Sequence, residues 1–89
     1  MDEQTWNIVG ERIHIMRRRR GLTSTELATL ARTGRTTISR LENNRKPQVS
    51  FDVLYRIAEA LDVSLDYLTG RKDRETIEGE AAEAALIGI

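Results

Sequence analysis

The sequence has no cysteine, which excludes a disulfide framework and a thiolate metal site. Its one histidine, His14, cannot assemble a zinc site by itself, and no Ser or Cys nucleophile stands in a recognisable motif beside it. The sequence also lacks a carboxylate pair in a convincing pocket, a phosphate loop and a cluster of metal ligands. We therefore expect a protein that is not an enzyme and that binds no cofactor or metal.

Long apolar runs are missing as well, since no stretch is long enough to cross a bilayer. The chain begins with Met1, Asp2 and Glu3, and not with the basic residues that open a secretory signal peptide. Its 89 residues suffice for one domain with a modest core. The expectation is a cytoplasmic protein without a membrane partner.

The chain has no net charge, because 14 basic residues balance 14 acidic ones. The two signs are distributed unevenly, however. Residues 12–46 hold ten basic and two acidic residues and carry a charge of +8, so the remainder carries −8. Such asymmetry indicates a localised anion-binding face that the net charge conceals.

Helical patterns fill the basic half of the chain. Apolar residues with three-four-three spacing predict a first helix over residues 4–20: Trp6, Val9, Ile13 and Met16. Thr23 and Glu26 have the spacing of a capping box, which starts a second helix at Ser24. We expect this second helix to run to about Ala31.

A short connection leads to a third helical pattern, in which Ile38 and Leu41 point inward and polar residues point outward. Asn44 suits the end of this helix. Two further helices with serine caps are predicted over residues 50–61 and 64–68. Strand alternation bounded by turn signals is not found, so the predicted fold is all-α with five helices.

Two short helices joined by a tight turn, the second with a polar and basic outer face, match the geometry of a helix-turn-helix. The segment "LTSTELATLARTGRTTISRLENNRK", followed by "LYRIAEALDVSLDYL", resembles the Xre family, the lambda-repressor and Cro type of helix-turn-helix. The resemblance covers residues 13–70. It implies a lambda-repressor-like DNA-binding domain over residues 1–70 and a transcriptional regulator encoded by a bacterium or a phage.

In this family the third helix lies in the DNA major groove, which assigns base reading to Arg35, Thr36, Ser39 and Arg40. An arginine can donate two bonds to guanine, and a threonine methyl can meet a thymine methyl. The competing interpretation is a solvated basic helix face. Phosphate contacts are expected at the start of helix two and after helix three, from Thr23, Ser24, Asn43, Arg45 and Lys46.

The resemblance also implies a partly buried ion pair between Arg17 and Glu42, which we expect to fix the angle of the third helix. Two positions depart from the family pattern. Arg32 stands where the turn commonly has glycine, and Gly34 stands where the helix cap is commonly Ser or Thr. We therefore expect a turn that is shifted or looser than the family norm.

Residues 71–89 form an acidic, alanine-rich and helix-prone tail. One interpretation is a frayed terminus. The other is that the tail, or the end of helix five near Val63, Leu65 and Tyr67, forms a homodimer. A dimer would place two reading helices roughly 34 Å apart on a palindromic operator.

Two other functions remain as alternatives to a repressor that binds double-stranded DNA as a homodimer. An antitoxin would use the same fold and also capture a toxin protein, whose reading frame would stand beside the gene. An adaptor that binds only protein would be expected to lack outward arginines, and Arg35 and Arg40 argue against it.

Overall fold

The computed structural model describes residues 2–43 and 49–72, and these form five helices without a strand among them. The helices are α1 (Glu3–Arg19), α2 (Ser24–Leu30), α3 (Arg35–Glu42), α4 (Phe51–Leu61) and α5 (Leu65–Leu68). The predicted all-α fold with five helices is confirmed. The predicted bounds of α1 and the end of α2 lie one residue away from the observed ones.

Side-chain caps begin four of the five helices. Each cap accepts a hydrogen bond from the backbone N–H three residues further on, and the caps are Asp2, Thr23, Ser50 and Ser64. The Thr23 N–H also donates to the Glu26 carboxylate at 2.9 Å, which completes the predicted capping box. By contrast, α3 begins at Gly34 without a side-chain cap, so its start depends on packing and on the preceding turn.

One apolar core joins the helices and sets the rotation of α3. This helix packs against α1 and α2, while α4 packs against the same two helices and α5 lies on α1 and α4. Ile38 and Leu41 of α3 are almost completely buried, at 0% and 1% exposure. Burial of each such side chain contributes about 1.5–3 kcal/mol. The opposite face of α3 must therefore point to solvent.

The turn between α2 and α3 keeps regular helix-ending geometry. Arg32 adopts the left-handed conformation with φ +54°, and its N–H donates to the Thr29 carbonyl at 3.2 Å. The Thr33 N–H donates to the Ala28 carbonyl at 2.9 Å. These two bonds and the left-handed residue define a Schellman motif. The prediction of a shifted or looser turn is therefore wrong, because Arg32 takes the backbone conformation that glycine usually provides.

The end of α5 does not offer the apolar surface that the sequence suggested for a homodimer. Val63 and Tyr67 are buried at 5% and 8% exposure, and Leu65 packs partly buried against the core. These side chains serve the fold of one chain, because α5 packs on α1 and α4. Tail residues 73–89, the other predicted dimer segment, lie outside the described residues.

Within the two described ranges, no helix combines the length and apolar character needed to span a bilayer.

Candidate nucleic-acid interface

The outward face of α3 carries all four residues predicted to read bases. Arg35, Thr36, Ser39 and Arg40 line a shallow surface depression together with Asn43. They share this face because the buried residues of α3 occupy its opposite side. The depression is thus bordered by guanidinium, hydroxyl and amide groups, all of which hydrogen-bond to base edges or phosphates.

The charge of this face is not neutralised within the described part of the chain. Arg35 and Arg40 have no ion pair or side-chain hydrogen bond to any residue in the ranges 2–43 and 49–72. Glu42, the only acidic residue of α3, bonds to α1 instead. Among the residues that the structure describes, nothing therefore keeps these two guanidinium groups from an external anion or acceptor.

Ser39 and Asn43 are already oriented by a contact one helical turn apart. The Asn43 Nδ2 donates to the Ser39 carbonyl at 2.8 Å and to the Ser39 Oγ at 3.3 Å. Because Ser39 Oγ accepts this bond, its own O–H is left to donate outward. The Asn43 side chain thus bonds back to the preceding turn of α3 and leaves the Ser39 hydroxyl proton unused by this contact.

At the start of α2, the two predicted phosphate residues differ in what they have left to donate. The Thr23 Oγ accepts from the Glu26 N–H at 3.0 Å, and the Thr23 N–H donates to the Glu26 carboxylate. The capping box therefore already uses the Thr23 N–H, although the hydroxyl proton of Thr23 can still donate. Ser24, the first residue of α2, is partly buried.

The Arg17 and Glu42 side chains are in direct contact between α1 and α3. Arg17 donates from Nε to Glu42 Oε2 at 2.7 Å and from Nη2 to Oε1 at 3.0 Å, a two-bond fork. Its Nη1 donates to the Leu22 carbonyl at 2.8 Å. The two side chains are 14% and 8% exposed, so the pair is largely shielded from water.

A third residue, His14, joins this pair and was not anticipated from the sequence. Its Nδ1 lies 2.7 Å from Glu42 Oε1, while 47% of its side chain stays exposed. Burial acts to raise the pKa of Glu42, but the hydrogen bonds from Arg17 and His14 outweigh it and lower this pKa below its ordinary value. The signal in the sequence was the spacing: His14 stands three residues before Arg17 on the same helix.

Comparisons with known proteins agree with this geometry. A sequence model described as helix-turn-helix matches residues 13–68. The chain belongs to the helix-turn-helix family. The HTH-type transcriptional regulator SinR of Bacillus licheniformis is 30% identical over 73 residues, which are 82% of this chain and 66% of the regulator. This helix-turn-helix chain thus spans just under two thirds of that relative's length.

A solved structure supports the same family at the level of the fold. The helix-turn-helix protein matches a chain of a SinR protein/SinI protein complex with a TM-score of 0.66 and 28% identity. The match covers 86% of this chain and 74% of the other. The resemblance to the Xre type of helix-turn-helix is thereby confirmed.

Three arginines tie the helix-turn-helix domain together by donating to carbonyls at the ends of helices. Arg12 donates to the Tyr67 carbonyl at 2.6 Å, and Arg20 donates to the Leu61 carbonyl at 2.9 Å. Arg56 donates to the Ala31 carbonyl at 2.8 Å. The helices that receive these bonds, α5, α4 and α2, have no basic residue in their own last turns.

Some basic residues of the +8 segment also make contacts within the domain. Arg12, Arg17 and Arg20 belong to it, yet each donates to a group within the domain. Bonds to carbonyls do not neutralise a guanidinium, and Glu42 is already counted in the +8, so these contacts reduce the donors offered to a ligand and not the charge of the segment. Arg45 and Lys46, two of the predicted phosphate contacts, lie outside the described residues.

Proposed function

We propose that the protein is a sequence-specific DNA-binding transcriptional regulator that places α3 in the major groove. The observation that carries this proposal is the unpaired, outward position of Arg35 and Arg40 on α3, opposite the buried Ile38 and Leu41, within the part of the chain that the structure describes. A major groove about 12 Å wide admits an α-helix. Membership of the helix-turn-helix family supports the same docking geometry.

Base reading is assigned to the exposed face of α3. Arg35 and Arg40 can each donate two bonds to guanine O6 and N7, and the Thr36 methyl can contact a thymine methyl. The outward hydroxyl of Ser39 can donate to a base acceptor. The start of α3 is expected to approach the bases most closely, as in other helix-turn-helix proteins.

Phosphate contacts are assigned to residues on both sides of this face. The hydroxyl of Thr23, the backbone of Ser24 and the amide of Asn43 supply neutral donors, while Arg45 and Lys46 supply charge. Such contacts set the register of the protein on the duplex and do not read sequence. Each charged contact adds roughly one unit to the slope of log affinity against log salt concentration.

The regulator is further proposed to bind a palindromic operator as a homodimer and to repress. One α3 contacts only a few base pairs, whereas two copies related by a two-fold axis would read half-sites roughly 34 Å apart. Tail residues 73–89 and the exposed aromatics Phe51 and Tyr55 of α4, at 72% and 49% exposure, are candidates for the contact. A dimer seated over a promoter would exclude polymerase.

Capture of a second protein is the alternative function, as in an antitoxin. It is favoured by the structural match to a SinR protein/SinI protein complex, in which the related chain is assembled with another protein. A toxin-sized reading frame beside the gene would support the antitoxin form of this alternative. Co-purification of its product with the chain would then test it directly.

Selection from a pool of random duplexes tests the proposed function and identifies the operator in the same experiment. The selected duplex and a scrambled copy are then compared by fluorescence anisotropy at several salt concentrations. We expect a recurring sequence with two-fold symmetry and affinity for it that exceeds affinity for the scrambled duplex by roughly a thousandfold or more. Enrichment of no sequence, with equal and salt-sensitive binding to both duplexes, would contradict the proposal.

A further inference from the structure

One side chain of α4 reaches the turn that precedes α3. Arg56 Nε donates to the Ala31 carbonyl at 2.8 Å, and Arg56 Nη2 donates to the Arg32 carbonyl at 3.4 Å. The side chain of Arg56 is only 18% exposed, and its bond to the Ala31 carbonyl is partly buried, whereas the longer bond to the Arg32 carbonyl is exposed. Arg56 thus connects the scaffold helix α4 to two consecutive carbonyls at the end of α2.

These carbonyls need a donor from elsewhere. Ala31 ends α2, and the last carbonyls of a helix have no partner within it. The last turn of α2 contains no basic residue, so its negative dipole end has no local cation either. The guanidinium of Arg56 supplies both the donors and the positive charge.

The same turn contains a strained residue. Arg32 holds φ +54°, a conformation that costs a side chain with a Cβ roughly 1–2 kcal/mol. Strain of this kind persists where the surrounding structure enforces it. The bonds from Arg56 to the carbonyls of Ala31 and Arg32 hold the peptides on both sides of the strained Cα.

The Arg56 guanidinium is itself held in place by Asp52. The two residues lie one helical turn apart on α4, and Arg56 Nη1 pairs with the Asp52 carboxylate. Asp52 is 73% exposed and lies on the solvent side of the contact. The carboxylate therefore orients the guanidinium, whose remaining donors face the turn.

We propose that Arg56 is a positioning residue for the recognition of DNA: it locks the left-handed turn at Arg32 and thereby fixes the start of α3, where Arg35 and Thr36 stand. Gly34 provides no side-chain cap at this point, so the turn itself determines where α3 begins. The part of the inference that concerns DNA rests on the proposed function. The part that concerns the turn does not.

The turn is tested by amide hydrogen exchange on Arg56→Met, with Arg20→Met as the matched control. Arg20 makes the same type of bond, from its Nε to the last carbonyl of α4, but lies away from the turn. In Arg56→Met, we expect protection of the Arg32 and Thr33 amides to fall roughly tenfold relative to the core amide of Leu41. Equal changes at these amides in both variants would overturn the inference.

The link to recognition is tested by the ratio of affinities for the selected and scrambled duplexes. We expect Arg56→Met to lower this ratio roughly tenfold, mostly through the selected duplex, whereas Arg20→Met lowers stability and leaves the ratio unchanged. If the substitutions acted only through lost packing, both variants would be less stable, and the affinity ratio of Arg56→Met would equal that of Arg20→Met. An affinity ratio that is unchanged in a folded Arg56→Met protein would overturn the inference. A ratio near one in the wild-type protein would instead count against the proposed function. In that case the exchange experiment alone would test whether Arg56 stabilises the turn.

A double variant tests whether Arg56 acts by holding Arg32 in its strained left-handed conformation. Arg32→Gly keeps the left-handed conformation but removes its steric cost, so the turn should hold without Arg56. We expect Arg32→Gly with Arg56→Met to recover most of the lost amide protection and affinity ratio. A double variant as impaired as Arg56→Met would contradict this route.

Discussion

Glu42 at the end of α3 and Arg17 of α1 are joined by two parallel hydrogen bonds, of 2.7 and 3.0 Å, in a site that water reaches little. Since Arg17 also holds the Leu22 carbonyl, one guanidinium connects α1, the loop before α2 and the last turn of α3. We propose that this contact sets the angle at which α3 leaves the domain.

Removal of the Glu42 carboxylate tests the value of this contact. Glu42→Ala leaves the shielded guanidinium of Arg17 without its acid, and such a loss costs about 3 kcal/mol. For a domain of this size, we expect the Tm to fall by about 12 °C or more. The exposed Glu59 of α4 provides the control, Glu59→Ala. A Tm of Glu42→Ala that matches the control would disprove the structural role.

The lowered pKa of Glu42 predicts how stability depends on pH. Because this pKa is lower in the folded protein than the ordinary 4.5, the contribution is present above the unfolded value and is lost as pH falls through the folded one. Thermal unfolding from about pH 6 to pH 3 should show a shallower decline of Tm in Glu42→Ala than in the wild type. Some decline should remain, since backbone hydrogen bonds also lower the pKa values of Asp2 and Glu26. Parallel declines would count against the assignment.

Replacement of the left-handed residue of the turn should stabilise the protein. Arg32→Gly relieves strain at φ +54°, partly offset by the greater freedom of glycine in the unfolded chain. We expect a net gain of about 1 kcal/mol in the free energy of unfolding by urea. Thr33→Gly is the control, because Thr33 does not have a positive φ, and it should destabilise. A loss of stability in Arg32→Gly would show that its side chain matters more than its strain.

Most of the fold could be predicted because its signals are local. Caps, apolar spacing and turn residues act within three or four positions, so the pattern of Ile38 and Leu41 predicts which face of α3 is exposed. The contacts of Arg20 and Arg56 could not be predicted in this way, as they join residues 41 and 25 positions apart. From the sequence alone, both arginines are indistinguishable from solvated surface residues, because only the packing of the helices brings a carbonyl within hydrogen-bonding distance.

The departure at Arg32 shows a different limit. Sequence reasoning treated a missing glycine as a sign of altered geometry, whereas the surrounding structure enforces the usual geometry on an arginine. Here tertiary contacts outweigh the local conformational preference of one residue.

The two predicted phosphate residues of α2 should respond differently to alanine. Thr23→Ala removes the hydroxyl that accepts the Glu26 N–H and should lower stability by about 1 kcal/mol. Ser24→Ala keeps the Thr23 cap intact and should therefore leave stability nearly unchanged. If only the backbone of Ser24 contacts a phosphate, DNA affinity should be nearly unchanged as well. Thermal unfolding and anisotropy on the selected duplex check both. A Thr23→Ala protein as stable as Ser24→Ala would contradict the capping role.

The dimer proposal predicts an effect of shortening the chain. Removal of residues 73–89 keeps Lys72, whose carbonyl accepts a bond from Arg12. If the tail makes the dimer, analytical ultracentrifugation should give a monomer for the shortened protein and a dimer for the full chain. A dimer in both would exclude the tail and direct attention to Phe51 and Tyr55, and a monomer in both would contradict the homodimer.

The central claim, that the exposed face of α3 reads sequence, is tested most directly by Arg40→Ala against Arg18→Ala. Both changes remove one exposed arginine, but Arg18 lies on α1 and has no assigned base contact. Anisotropy on the selected and scrambled duplexes should show that Arg40→Ala loses roughly tenfold or more of its affinity for the selected duplex alone. Arg18→Ala should change both affinities by the same small factor. Equal losses on both duplexes in Arg40→Ala would mean that Arg40 contacts phosphate and would contradict base reading by this residue.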